Sequence, residues 1–334
     1  MTLQAEALVT ARDPRALLAR VADHLADHGT VLATAPDRRT IGFPFGEMGL
    51  ALRDDMLVLS ARAAEMEGLL MARSSLAGHV IELAEGETLD IAWRGDGAEI
   101  TAPPNCRELV VTAAEPVTPH MRRIHFSAEA LSRFAGLDNI HVRLAFPPAG
   151  TLLPHPTLGA DGLPKWPQDR PEPLWRKYTI RHIDVARGTL AIDFVLHDAP
   201  GPGSAFAAAA KPGDRIGMAG PGGRGLAAAG YYVFLADETG LPAVARMLEA
   251  LPADAEGQVV IEVAEAGERQ PLRHPQGVTL TWLLRQEPGT LSLPDCAKAL
   301  ALPERPDIYL WSASEFSDFK AIRSHFRGPD RAAL

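Results

Sequence analysis

Between Arg176 and Asp214 the chain reads R-K-Y-T-I-R, then D-F-V-L-H, then P-G-P-G-S-A-F-A-A-A-A-K-P-G-D. An aromatic ring lies between cationic side chains, a β-branched and aromatic run ends in His197, and a glycine and proline loop opens into an alanine-rich helix. Arg176, Tyr178, Thr179, Ile180 and Arg181 suit an extended strand, in which alternate side chains share a face. Tyr178 can lie against a flat ring, while the Thr179 hydroxyl and the forked donors of Arg176 or Arg181 can hold ring edges and phosphate oxygens. His197, at a strand end, can donate to or accept from a ring edge. Gly201, Pro202 and Gly203 let backbone approach a phosphate closely. Ser204 is placed to cap a helix beginning near Ala205, whose first N–H groups make an anion site. The chemistry implied is a pocket for a flat ring system that carries a diphosphate.

A second constellation comes later, in A-D-E-T-G-L-P-A (236–243) and W-S-A-S-E (311–315). Both fall where a strand should give way to a helix. Thr239 and the turn through Pro242 are candidates to touch a nucleotide, with Asp237 and Glu238 solvated or capping the helix. Glu315 opens the last helix, where it contacts a nucleotide or complements the positive helix end.

Other signals weigh less. Gly220, Gly222 and Gly225 satisfy G-x-G-x-x-G formally, but no long helix follows, so the segment reads as a domain-crossing turn. His24 and His28 are four apart on an expected helix, as zinc ligands sometimes are, without the H-E-x-x-H pattern or an evident third ligand, so a surface pair is expected. His120 and His125 lack same-face spacing for a metal pair. No metal or haem site is expected.

The elements that must position these residues follow from periodicity. Asp13-Pro14 begins a helix through Leu17, Leu18, Val21 and Leu25 that stops at Gly29. Strands are expected at 30–34, 39–45, 48–53, 56–61 and 88–94, with a mostly helical segment over 62–84, which makes an α+β unit over 1–100. Thr101–Asn105 is the linker. Short strands at 108–115, 121–127, 140–146, 175–184, 189–197 and 214–219 read as an antiparallel β-barrel over 106–226. The proline- and glycine-rich stretch 148–173 is too long for an ordinary connection and is expected to be mobile or functional. Strands at 232–236, 257–264, 278–283 and 307–312, with helices at 240–251 and 314–327, give an α/β doubly wound sheet over 227–334, with ligands at the carboxyl ends of its strands.

Composition bounds the partners. Hydrophobic residues make up 46% of the 334, ample for a real core, and the formal net charge of −9 disfavours nucleic acid or anionic membrane. No apolar run is long enough to insert in a membrane and no signal-peptide layout is seen. Cys106 and Cys296 are far apart without metal-type spacing, so a cytoplasmic protein with reduced thiols is expected.

R-K-Y-T-I-R, F-V-L-H, G-P-G-S, K-P-G-D and A-D-E-T-G-L-P-A, in that order, resemble the siderophore-interacting protein family over roughly 107–330. The resemblance implies a ferredoxin-reductase-like pair of domains, an FAD-binding barrel and a nicotinamide-binding lobe, that reduces ferric siderophores with NADPH or NADH and releases iron as Fe(II). Alternatives are a flavin or ferredoxin-type reductase serving a protein partner, and a non-enzymatic siderophore-binding module. The resemblance also implies that Phe206 stands where relatives commonly carry tryptophan, and that Ser314 replaces a glycine before Glu315. Many relatives continue through a Tyr-Trp tail. Arg143, Lys165, Arg170 and Arg246 are candidate cations for an anionic ferric complex, by their location in loops or near lobe edges. Residues 1–100 resemble a small domain sometimes fused ahead of this family, with no role implied.

Overall fold

The computed structural model describes residues 2–148, 151 and 153–327; the tail after 327 lies outside them. The chain forms two compact units, one of residues 1–106 with 154–172, the other of 107–153 with 173–334. The first contains β1 (Leu3–Val9), α1 (Pro14–Ala26), β2 (Thr30–Ala35), β3 (Arg38–Phe43), β4 (Gly46–Arg53), β5 (Met56–Ala63), α2 (Met66–Glu82) and β6 (Arg94–Gly95). Its strands make one sheet in the order β2-β3-β4-β5-β1-β6. Asp13 caps α1 through a 2.9 Å hydrogen bond from the Ala16 N–H, and Leu17, Leu18, Val21 and Leu25 are buried, as the periodicity predicts. Two expectations fail here. The first strand, β1, escapes the sequence reading, and the expected strand over 88–94 shrinks to the β6 pair.

The long stretch after β7 (Cys106–Thr118), β8 (Met121–Ser127) and β9 (His141–Phe146) has an unexpected place. Its residues 154–172 belong to the first unit, where β10 (Thr157–Leu158) and β11 (Pro164–Lys165) form a small antiparallel pair. The Trp93 indole Nε1–H donates to the Asp161 carbonyl at 3.0 Å, the Trp93 N–H donates to that of Ala160 at 3.0 Å, and Leu163 packs into the core. Ser74 donates to the Gly162 carbonyl. A segment too long for a turn is therefore ordered by a buried tryptophan and a leucine that find a core to join.

The second unit holds β7 to β9, β12 (Leu174–Asp184), β13 (Thr189–Val195), α3 (Pro202–Ala209) and β14 (Arg215–Gly222), which close a barrel in the order β12-β13-β8-β7-β14-β9. Phe126, Phe194, Leu144, Ile180 and Ile192 fill its interior. A parallel sheet follows, ordered β17-β16-β15-β18, from β15 (Tyr231–Ala236), α4 (Leu241–Ala250), β16 (Glu256–Val263), β17 (Gly277–Leu284), α5 (Leu293–Ala299), β18 (Ile308–Ala313) and α6 (Phe316–Phe326). One face buries α4 and the other α5 and α6, the doubly wound arrangement expected. The Gly220–Gly225 segment ends β14 and leads into β15 with no helix between, so the turn reading holds.

Candidate functional site

A cleft of about 210 Å³ opens along β12. The barrel contributes Arg176, Lys177, Tyr178, Thr179, Asp193, Val195, His197 and the loop Gly201–Ser204, and the sheet lobe adds Thr239 and Pro242. Ten of the expected cofactor residues thus meet in one place. Lys177, Asp193 and Val195 were missed. Lys177 sits inside the R-K-Y-T block, and Asp193 is an acid in an apolar strand run, which is the signal that could have found it.

Burial fixes the walls. The Tyr178 ring lies 4.5 Å from Phe194 and 6.2 Å from Phe146, and desolvation pushes its hydroxyl up to about 12, so it stays a neutral donor. Asp193 is fully buried at its side chain and forked by Arg123 at 2.6 and 2.8 Å, so its charge is satisfied from below the cleft. Phe206 belongs to the barrel core, 5.6 Å from Phe146 and 6.1 Å from Phe194, and supports the cleft from behind.

The loop before α3 differs from expectation in one detail. The helix begins at Pro202 with Gly201 as N-cap, and Ser204 is not a cap: its Oγ accepts from the His197 N–H at 2.9 Å. That bond ties the end of the β13 run to the helix start and leaves the first-turn N–H groups of Gly203 and Ser204 without helical partners. A Cβ on Gly203 would lie 1.9 Å from the Tyr178 hydroxyl, so only glycine lets loop and ring touch. An exposed cationic strand, a helix start with unpaired N–H groups and a glycine cradle fit a dinucleotide with a flat ring.

Six expected residues lie outside the cleft lining. Ile180 is in the barrel core. Arg181 is turned from the cleft because the register shifts between Ile180 and His182, and its guanidinium grips Glu249 on α4 at 2.6 and 2.9 Å. Asp237 is buried rather than solvated and caps the turn into α4: one oxygen accepts from the Thr239 N–H at 2.8 Å, the Thr239 hydroxyl at 2.6 Å and the Gly240 N–H at 3.2 Å, the other from the Glu315 N–H at 2.8 Å. Glu238 is held by Arg285 at 2.7 and 3.1 Å; burial works to raise its carboxyl and the guanidinium outweighs it, leaving the group below the usual range. Glu315 caps α6, accepting from the Ser317 N–H at 2.7 Å. Phe206 completes the six.

The four cations expected for substrate also separate. Arg143 is exposed on β9, its guanidinium 4.9 Å from the Trp175 ring centre and its backbone directly opposite Lys177. Lys165 pairs with Asp161 at 2.6 Å and, with Arg170, falls in the other unit. Arg246 is buried, not at a loop or edge: it donates to the carbonyls of Ile180, Phe134, Ala135 and Gly136 at 2.9 to 3.2 Å, joining α4 to the barrel. No described helix is long and apolar enough to cross a membrane.

A closed antiparallel barrel that runs into a parallel doubly wound sheet, with a cleft lined by both, defines a ferredoxin-reductase-like flavoprotein. Residues 110–225 match the siderophore-interacting FAD-binding domain, 229–333 the siderophore-interacting protein model, and 6–94 a domain described as an uncharacterized protein conserved in bacteria (DUF2218). The NADPH-dependent ferric-chelate reductase of Escherichia coli is 32% identical over 66% of this chain and 86% of its own length. The siderophore-interacting protein SipS of Aeromonas hydrophila superposes with a TM-score of 0.57 at 32% identity, covering 67% of this chain and 86% of that one. The ferric vibriobactin reductase ViuB of Vibrio cholerae is 31% identical over 51% of this chain, and the chain spans 63% of that relative's length. The chain belongs to the siderophore-interacting protein family.

Proposed function

We propose that the protein is an FAD-dependent NAD(P)H:ferric-siderophore reductase. The observation that carries this reading is the cleft itself, in which barrel donors and the start of α3 face Thr239 and Pro242 of the sheet lobe. FAD supplies the chemistry when bound, converting a two-electron nicotinamide donor into single-electron steps to Fe(III). Residues of this chain do the rest. Tyr178 and the Thr179 hydroxyl orient the ring, Arg176 neutralises phosphate charge, and the Gly203 and Ser204 N–H groups take the diphosphate. Thr239 and Pro242, held by the Asp237 bonds that close their turn, present the nicotinamide side. No side-chain acid or base is required.

Arg143 and Lys177 stand directly opposite each other on paired strands, and both are exposed. Like charges opposite one another cost stability, so an exposed pair whose Lys177 lines the cleft is suited to drawing in an anionic ferric complex. The relatives whose names state reduction of ferric vibriobactin or ferric chelates support this substrate class.

The test is anaerobic. The FAD-loaded protein is mixed with NADPH or NADH and then with a ferric siderophore in the presence of an Fe(II)-trapping dye. The expected result is flavin bleaching by one nicotinamide, followed by recovery of the oxidised spectrum as the Fe(II) complex forms. Flavin that bleaches and recovers only with a redox protein supports the protein-partner alternative instead. Flavin that neither nicotinamide bleaches overturns the reductase reading in favour of a binding module.

A further inference from the structure

The fold supplies the third histidine that the sequence lacks. His24 lies in the last turn of α1, His28 just past its end, and His79 in the last turn of α2. The His24 ring centre is 5.1 Å from that of His28, at 70° between planes, and 4.9 Å from that of His79, at 53°. Metal–nitrogen bonds of about 2.0 Å place an imidazole centre about 3.2 Å from an ion, so two imidazoles on a tetrahedral ion have centres about 5 Å apart. The observed separations match that spacing.

His79 carries the second observation. Its Nδ1 is buried and makes no hydrogen bond, and the nearest Glu82 oxygen is 3.7 Å away. A buried ring nitrogen without a partner is costly, so this ring is suited to taking one. The core needs none of the three: α1 buries Leu17, Val21 and Leu25, and α2 buries Leu69, Leu76 and Val80.

We propose that His24, His28 and His79 form a three-nitrogen site for a divalent transition ion of the zinc class. Three imidazoles and an open fourth position suit Zn(II), Co(II) or Fe(II) over Mg(II) or Ca(II). Closure requires the exposed His28 ring to turn inward, since the described donor atoms that already converge within 4.8 Å are those of His120, Glu265 and Glu268. That second group is committed elsewhere: the Glu268 oxygens accept from Thr118 and from the His120 N–H, and one faces the His120 Nδ1.

The test uses the full chain, stripped of metal by chelator and loaded with FAD. Co(II) is titrated while its visible ligand-field bands are followed, and Zn(II) is then added in competition. One equivalent of Co(II) with tetrahedral-type bands is expected, displaced by Zn(II). His24→Ala and His79→Ala each weaken binding about 100-fold or more. His28→Ala, at an exposed helix end where the core is untouched, loses the bands with an unchanged melting temperature. His120→Ala keeps them. Absence of stoichiometric Co(II) and Zn(II) binding overturns the inference, as does binding that survives His28→Ala and His79→Ala or vanishes in His120→Ala. The result is independent of reductase activity, because neither ion is turned over.

Discussion

The two lobes of the second unit treat their polar residues in opposite ways. The barrel leaves Arg176 and Lys177 exposed on a strand and lets a glycine loop touch Tyr178, so its donors face outward into a cleft. The sheet lobe spends Asp237, Glu238 and Glu315 on its own turn, on Arg285 and on the α6 cap, and presents only Thr239 and Pro242. The barrel is built to hold a ligand, and the sheet lobe to hold one short turn rigid against it. A sequence motif can mark either use, and only the partners of each side chain tell them apart.

The contrast is broken most severely at Gly203. Gly203→Val drives a branched side chain into the Tyr178 hydroxyl, and FAD affinity is expected to fall by a factor of about 100 or more, measured by flavin fluorescence, because the cradle must open. Gly201→Ala is the control: its Cβ meets nothing within 4 Å, so the protein's melting temperature stays unchanged. In the sheet lobe the equivalent blow is Asp237→Ala. It orphans the N–H groups of Thr239 and Glu315, and should cost about 3 kcal/mol in urea unfolding while FAD still binds at wild-type strength.

Smaller effects sharpen the same comparison. Arg143→Glu should raise KM for an anionic ferric siderophore about 10-fold at low salt, with kcat and FAD affinity kept, and the difference should shrink as salt is added. An unchanged KM removes Arg143 from the substrate path. The smallest effect is a pH dependence where the lobes meet. The bond to Glu268, and then its charge, raise the His120 imidazole above its ordinary value. A raised histidine contributes stability that is fully present below its unfolded pKa of about 6.5 and is lost as pH rises through the folded value. His120→Gln should therefore lower the melting temperature at pH 6 and have no effect at pH 9.

Much of this was legible in residues whose local chemistry and tertiary role coincide. The sequence reading placed β8, β9, β12 and β13 within a residue or two, because short runs rich in β-branched and aromatic residues between turn residues mark such strands directly. The R-K-Y-T block and the glycine loop reached the cleft together for the same reason. What stayed hidden depends on contacts far apart in the chain. Arg181 and Arg246 are arginines like Arg176 in sequence, yet a register shift and the docking of α4 turn both into internal braces. Ser204 has the composition of a cap but answers to His197, seven residues earlier. Segment 154–172 looks like an unstructured loop until Trp93 and Leu163 give it a core to join.

The account rests on the barrel cleft as a flavin site, and the most direct measurement is an FAD titration of the flavin-stripped full chain, read by fluorescence quenching alongside the Gly203→Val variant. The account predicts one FAD bound per chain, with quenching as the ring meets Tyr178, and loss of that binding in the variant. Saturable FAD binding that the variant retains undiminished would contradict it, because the flavin would then lie somewhere other than against β12 and the start of α3.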